Sequence, residues 1–306
     1  MTPLFHSGEL NVQARAGVAS RASKPLGSIL PLVAQDFLRS QPLAIAGSQD
    51  ARGRVWASLL TGDPGFIQIV DEKTVRLEAQ LIHGDPLGGN LLANDQLGLL
   101  IVDFAARRRL RLNGRATVQP GGAICISAEQ VYSNCPQYIQ ARQWKMAEGN
   151  SDSISLVRCA NVLSREQQNW IKKSDTFFIA SSHPTAGVDA SHRGGYPGFV
   201  HVINERLLVW PDYSGNKMFQ TLGNLDINPQ AGLLFMEFES GDLLQLIGKA
   251  RVIWEGELVS EFAGVERALE FEIDEVRETT NAHRLRWEFL GYSPHNPKMS
   301  NAGGER

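Results

Sequence analysis

A run of seven residues, Pro211-Asp212-Tyr213-Ser214-Gly215-Asn216-Lys217, holds the residue types that bind an anion. Lys217 brings a cation, Ser214 and Asn216 bring hydrogen-bond donors, and Gly215 lets backbone approach a ligand closely. The segment that follows, Met218–Asn224, reads as the start of a helix, whose free N-terminal amides favour negative charge. Phosphate is the group such a loop suits. The same seven residues also suit an ordinary glycine-containing hairpin loop. A second set, Ser191-His192-Arg193, places a hydroxyl, an imidazole and a guanidinium in succession. An arginine there can hydrogen-bond ligand carbonyls and hold developing negative charge. A solvated turn ahead of Gly194-Gly195 is the plainer alternative.

These residues must be positioned by a fold, and the chain describes its fold by repeating itself. Gly98–Val118 reads GLLIVDFAARRRLRLNGRATV and Gly232–Val252 reads GLLFMEFESGDLLQLIGKARV, nine identities in 21 ungapped positions. Unrelated segments share roughly one or two. A second block, Val55–Phe66 (VWASLLTGDPGF), matches Val188–Phe199 (VDASHRGGYPGF) in its Ala-Ser pair and its Pro-Gly-Phe triplet. The offsets are 134 and 133, so two homologous modules are expected, at about 37–118 and 170–252. His192 and Arg193 align with Leu59 and Leu60, the sharpest difference between the halves. Asn224 and Gly223 align with Asn90 and Gly89, which points to a packing or capping role shared by both modules. Module one has no counterpart of the 212–217 loop: His83–Asn90 carries no cation, so one phosphate site per chain is expected.

Each module reads as β. Leu110, Leu112, Gly114, Ala116 and Val118 alternate with Arg109, Arg111, Asn113, Arg115 and Thr117, giving one apolar and one polar face. Leu244 to Val252 repeat the apolar set. Small residues on the inward face suit the interior of a small barrel. Earlier strands are expected at Leu43–Ser48, Phe66–Val70, Val75–Ala79 and Gly98–Phe104, with one more where Leu269, Phe271 and Ile273 alternate with acids. Trp210 reads as barrel wall. Ser164 with Gln167 three residues on is a capping box opening a helix over Arg165–Lys173. Cys135–Trp144 is expected to form another helix. The resulting division is an N-terminal segment (1–36), module one with its helix (37–148), a linker and short helix (149–169) whose polar stretch is Gly149–Ser155, module two (170–255), and a C-terminal strand and tail (256–306), the tail from Pro297 being expected to lack structure.

Composition removes several functions. The net charge is −3 over 306 residues, a balance that gives no electrostatic case for nucleic acid, whose binding needs clustered Lys and Arg. No stretch of about 18 apolar residues is present for a membrane span. Met1–Gln13 lacks the pattern of a secretory leader. Cys125, Cys135 and Cys159 fit no metal or redox spacing and are expected to be reduced, buried thiols. A cytoplasmic protein is therefore expected. The histidines show no HExxH spacing, and neither a GxSxG elbow nor a P-loop occurs.

The order of motifs in module two resembles the pyridoxamine 5′-phosphate oxidase superfamily of FMN-binding split barrels. Gly198–Ile203, Leu207–Trp210, Asp212–Lys217, Met218–Asn224, Asn228–Phe235 and Ile247–Ala250 fill, in turn, a strand, a strand ending in an aromatic, a polar cationic loop, a helix, an NPxxxLLF-like run and a closing strand. Phe5–Glu9, Asn134–Gln140 and Ser191–Gly195 are similar to a branch of flavin-nucleotide-binding proteins in that superfamily. The resemblance implies a mainly β chain of two tandem FMN-binding split barrels, packed as an internal pseudo-dimer, with FMN as cofactor in module two. It implies FMN contacts at Ser191, His192, Arg193, Asp212, Tyr213, Ser214, Asn216, Lys217, Thr221 and Asn224, with Trp287, beside Arg286, covering the flavin from the C-terminal side. Arg107, Arg108, Arg109 and Arg111 either form a solvated hairpin end or reach the cofactor across the module interface. The implied function is a flavin-dependent oxidoreductase acting on a small-molecule redox substrate or electron donor, with a homodimer as a further possibility. The alternatives are a non-catalytic flavin or haem carrier or sensor, with His192 or His201 as the haem ligand, and a scaffold without cofactor.

Overall fold

The computed structural model describes residues 5–18, 27–147, 155–262 and 265–297. Most of the expected linker (149–154) and nearly all of the tail (298–306) lie outside the described residues. Module one contains β1 (Leu43–Gln49), β2 (Val55–Thr61), β3 (Ile67–Ile69), β4 (Thr74–Leu77), β5 (Gln80–Leu81), β6 (Gln96–Asp103), β7 (Arg108–Val118) and β8 (Ile124–Ser133). After β9 (Ala141–Met146) and β10 (Leu156–Ala160) comes module two: β11 (Thr176–His183), β12 (Gly187–Gly194), β13 (His201–Asn204), β14 (Leu207–Pro211), β15 (Gln230–Met236), β16 (Leu243–Ile253) and β17 (Ala268–Thr280), followed by β18 (Leu285–Gly291). The helices are α1 (Ser7–Arg15), α2 (Leu32–Arg39), α3 (Leu87–Ala93), α4 (Arg165–Lys173), α5 (Gln220–Ile227) and the short α6 (Glu257–Ser260).

The two sheets have the same strand order. It is β3-β4-β8-β7-β6-β1-β2-β5 in module one and β13-β14-β17-β16-β15-β11-β12 in module two, where β10 also pairs with β17. The sequence repeat is therefore a repeat of topology: two tandem split-barrel units. The second sheet runs past the expected boundary at 255, because β17 pairs along the whole of β16. The likeness reaches irregular features. The register shifts between Asn113 and Gly114 in one sheet and between Ile247 and Gly248 in the other. At both glycines a Cβ would collide with a carbonyl of the adjacent strand, Ser127 or Glu272. That close approach explains why both bulges carry glycine.

Each unit has its own core. Leu99, Ile101, Leu112 and Ile126 lie in the first, and Phe177, Trp210, Leu233 and Phe271 in the second. Trp210 is thus fully buried barrel wall, as expected. A third core, with Ile45, Ala57 and Leu59 facing Phe178, Ala190 and Leu234, joins the modules. Strands β2 and β11 are consequently buried on both faces. At the heart of this joint a Cβ on Gly98 would stand 2.5 Å from the Val188 carbonyl, and one on Gly232 would stand 2.5 Å from the Val55 carbonyl. Gly98 and Gly232 are equivalent in the repeat, so the pseudo-dimer is pressed together at two symmetry-related glycines.

Helix α4 has the expected limits and capping box, with Ser164 Oγ accepting from the Gln167 amide at 3.2 Å and the Gln167 carboxamide accepting from the Ser164 amide at 2.9 Å. The helix expected at Cys135–Trp144 is absent. Tyr138 adopts a left-handed φ of 65°, which interrupts a helix. The residues after it form β9, paired with β18 so that Trp144 faces Trp287. The thiols are free but not buried: Cys125 and Cys135 are half-buried and Cys159 is exposed. Helix α1, which the periodicity did not reveal, crosses α5 where Gly8 meets Gly223, at a distance that excludes a Cβ on either.

Candidate functional site

The module interface opens into a cleft between β12 of module two and β7 of module one. Two adjoining cavities, of about 600 and 730 Å³, share Arg111, Arg193, Asp212 and Tyr213 as lining.

The inner wall is a network of arginines supplied by both modules. Arg111 Nη1 donates to both Asp189 oxygens at 3.1 and 2.9 Å and to Gln220 Oε1 at 3.1 Å, while its Nη2 donates to Ser191 Oγ. Tyr132 Oη donates to Asp189 Oδ1 at 3.2 Å. Arg193 Nη1 donates to Ser191 Oγ at 3.4 Å. Arg109 Nη1 lies 3.2 Å from His192 Nδ1. A guanidinium only donates, so Nδ1 accepts and the His192 proton sits on Nε2. Burial, then Arg109 and Arg193, hold His192 well below its ordinary pKa, so it is neutral.

Several buried polar atoms in this wall have no hydrogen-bond partner among the described residues. They are the Nε atoms of Arg109, Arg111 and Arg193, His192 Nε2 and Asn134 Oδ1. Unpaired buried donors of this kind are rare and costly. Arg109 is held below its ordinary pKa by burial and by the charges of Arg111 and Arg193, and Arg193 is lowered chiefly by burial. Of the nearby carboxylates, Asp189 is engaged by Arg111, and Asp212 accepts from Arg267 Nε at 2.8 Å. The wall therefore carries positive charge beyond what its neighbouring carboxylates balance.

The structure brings most of the sequence-indicated residues to this cleft. Ser191, His192 and Arg193 stand on β12 and line the first cavity. Asp212 and Tyr213, on the loop between β14 and α5, line both cavities, as does Asn216; Ser214, Lys217 and Thr221 line the second. Lys217 is exposed at the rim. Lys217 and Phe219 both adopt left-handed backbone, each with φ of 59°, just ahead of Gln220. This turn leads into α5, whose first residues Gln220 and Thr221 line the second cavity, and Asn216 Oδ1 fixes it by accepting from the Met218 amide at 3.1 Å. Tyr138 Oη, from the segment after β8, donates to the Ser214 carbonyl at 2.8 Å.

Two indicated residues stand elsewhere. Asn224 lines neither cavity. Its Nδ2 donates to Ser181 Oγ at 3.0 Å and its Oδ1 lies 3.0 Å from His6 Nε2. Asn90 donates to Ser48 Oγ at 2.9 Å in the same way, the shared packing role that the alignment of the two asparagines indicated. Trp287, on β18, packs edge-on against Phe104 and Phe238. It lines a different cavity, beside Arg142, because the β9–β18 ribbon carries it there. Arg286 spends its guanidinium on the His283 and Leu285 carbonyls. His201 lies outside the cleft, 2.9 Å from Glu261.

Sequence reasoning missed Asp189, Tyr132, Asn134 and Gln220. It left Arg109 and Arg111 undecided between solvent and interface. Both stand on the polar face of β7, and near the start of the strand that face meets module two instead of water: Arg111 is 6 % exposed. The available signal was the replacement of Arg111 by Gln245 at the equivalent position of module two.

That replacement belongs to a pseudo-symmetric place built differently. There Ser58 and Gln245 stand where Ser191 and Arg111 stand in the cleft. Asp85 fills the space: its carboxylate accepts from Ser58 Oγ at 2.8 Å, the Leu87 amide at 2.9 Å and Gln245 Nε2 at 2.8 Å. The chain's own carboxylate thus occupies the polar groups of the second half-site. Among the described residues, no helix is long and apolar enough to cross a membrane.

Residues 163–285 match the family Pyridoxamine 5′-phosphate oxidase, a match that spans module two. No curated protein matches the chain in sequence. Among solved structures, a putative pyridoxamine 5′-phosphate oxidase from Lactobacillus delbrueckii is 15% identical, with a TM-score of 0.33, covering 38% of this chain and 94% of that one. The FAD binding protein from Mycobacterium smegmatis is 14% identical, with a TM-score of 0.28, over 40% of this chain and 98% of that one. The heme binding protein from the same organism is 12% identical, with a TM-score of 0.24, over 34% and 58%.

Proposed function

We propose that the chain binds FMN in the inter-module cleft and acts as a flavin-dependent oxidoreductase. The observation that carries this reading is the gathering of Arg109, Arg111 and Arg193, from both modules, around one cleft whose nearby carboxylates, Asp189 and Asp212, are already engaged by Arg111 and Arg267. An anionic ligand rich in carbonyl acceptors is what such a wall lacks, and FMN joins a phosphate to a ring with carbonyl oxygens. The match of module two to the oxidase family supports the same cofactor.

In this reading Lys217, Asn216 and the first amides of α5 hold the phosphate at the outer cavity. Arg193 and Arg109 face the ring's polar edge in the inner cavity, with His192 packed behind them. Bound FMN supplies electron and hydride transfer at its ring. The chain's own contribution is electrostatic: fixed guanidinium groups in a water-poor cleft stabilise added negative charge without reorganising. Asp189 keeps Arg111 in place, and Tyr138 and Tyr213, with ring centres 5.1 Å apart, form a lid-like aromatic wall over the loop.

Arg193→Gln tests the reading by quenching of FMN fluorescence. Loss of a charge-assisted bond, about 1.5–3 kcal/mol, weakens FMN binding roughly 10- to 100-fold. The ligand-free protein should not lose stability, because Arg193 lacks a full set of partners there. Unchanged FMN affinity in this variant counts against the assignment.

A further inference from the structure

On the outer side of Arg109 lies a groove of about 1350 Å³, between α2 and the paired strands β7 and β8. Its floor is apolar, formed by Ile29, Pro31, Val33, Phe37, Leu110 and Val131. Ile29 is 51 % exposed and Val33 70 % exposed, and the intervening Leu32 is 76 % exposed. A contiguous apolar surface left open to water marks a binding site more often than a scatter of single residues does.

One end of this groove is basic. Arg107 is committed to backbone, donating to the carbonyls of Ile139, Gly291 and Tyr292. Arg108 lies over the Phe37 ring, 5.2 Å from its centre. Among the described residues neither Arg108 nor Arg109 has a carboxylate partner. Arg109 and Asn134 line both this groove and the inner cavity of the cleft, so whatever fills the groove ends beside the proposed flavin site.

We propose that this groove receives the second substrate of the protein, an apolar molecule carrying one carboxylate, its body on Ile29, Val33 and Phe37 and its carboxylate at Arg108 and Arg109. The charge pattern selects the class: a neutral hydrocarbon leaves two arginines unpaired, and a polar anion leaves the aliphatic floor wet. The lowered pKa of Arg109, caused by burial and by Arg111 and Arg193, is the cost that a carboxylate at this position relieves. The substrate role rests on the flavin reading of the adjoining cleft; the binding of an apolar acid does not.

The test is calorimetric titration of the full chain, with and without FMN, using decanoate and the neutral decanamide. Decanoate is expected to bind both forms, and decanamide at least tenfold more weakly. Val33→Asp, which puts a negative charge on the exposed floor, should weaken decanoate at least tenfold while its FMN fluorescence titration matches the wild type. Arg109→Gln, which leaves Arg108 in place, should narrow the gap between the two probes. Absence of decanoate binding, equal affinity of the wild type for both probes, or an unchanged Val33→Asp variant overturns the proposal. Decanoate binding without FMN binding overturns the flavin reading and with it the substrate role, leaving an acid-binding groove.

Discussion

Asp189→Asn isolates the contact on which the arginine wall depends. Asp189 is 4 % exposed and accepts from Arg111 at 3.1 and 2.9 Å, from Tyr132 at 3.2 Å and from Asn113 at 3.3 Å. Asparagine keeps the volume and one acceptor oxygen, removes the charge, and turns an NH2 group toward a guanidinium. Breaking a buried ion pair by removing one partner costs about 3–5 kcal/mol. The retained oxygen places this variant near the lower end, about 3 kcal/mol, or roughly 6–12 °C of Tm at about 2–4 °C per kcal/mol. Urea unfolding followed by tryptophan fluorescence measures it. A second arm adds FMN. Removing Asp189 removes a negative charge beside an anion site, so FMN should stabilise the variant more than the wild type at equal ligand concentration. A loss below about 1 kcal/mol would show that Asp189 does not hold Arg111. A smaller FMN effect in the variant would show that Arg111 does not face the ligand.

Further predictions address the joint, the phosphate loop and the pH response. Gly98→Ala places a Cβ 2.5 Å from the Val188 carbonyl, and overpacking at this backbone contact should cost about 1–3 kcal/mol in urea unfolding. Lys217→Asn keeps a residue that tolerates the left-handed backbone and removes only the charge; FMN affinity should fall about tenfold, or about 1.4 kcal/mol, with the ligand-free Tm unchanged. His192 and His283 are both buried neutral, His283 lowered to about 4 by burial and then Arg286. Their folded pKa values lie below the unfolded value, so their stabilising effect is present above about pH 6.5 and is lost as pH falls toward 4. Each contributes up to about 1.4 kcal/mol per pH unit, so the urea midpoint should drop steeply between pH 6.5 and 4.5, and less steeply in His283→Gln. Glu9, raised to about 7 chiefly by burial, and His6, lowered to about 4, act in opposite directions between about pH 4.5 and 6.5, so they should not mask this slope.

The fold was legible in the sequence where local pattern and long-range symmetry agree. Period-two alternation over Leu110–Val118, its copy at Leu244–Val252 and the shared glycines Gly98 and Gly232 contain the tandem architecture and its joint. The Ser164–Gln167 box contains a helix end in four residues. The strand at Ala141–Met146 was not legible, because its sheet partner among the described residues is β18, more than a hundred residues away. Helix α1 was hidden because its burial depends on Gly8 meeting Gly223 and not on a long apolar stripe. For the site, loop chemistry was readable at 212–217 because phosphate-binding residue types cluster there. The arginines of β7 were not, because alternation reports two faces of a strand and does not say whether the polar face meets water or another module. Trp287 illustrates the opposite limit: it is aromatic and near the C-terminus, but the β9–β18 ribbon places it at a separate cavity.

The most direct measurement is a visible spectrum of the purified chain, with an equilibrium titration by FMN. Oxidised-flavin bands near roughly 370 and 450 nm, saturating at one FMN per chain because Asp85 fills the second half-site, are the predicted result. A Soret band, or no uptake of FMN at all, would contradict the account.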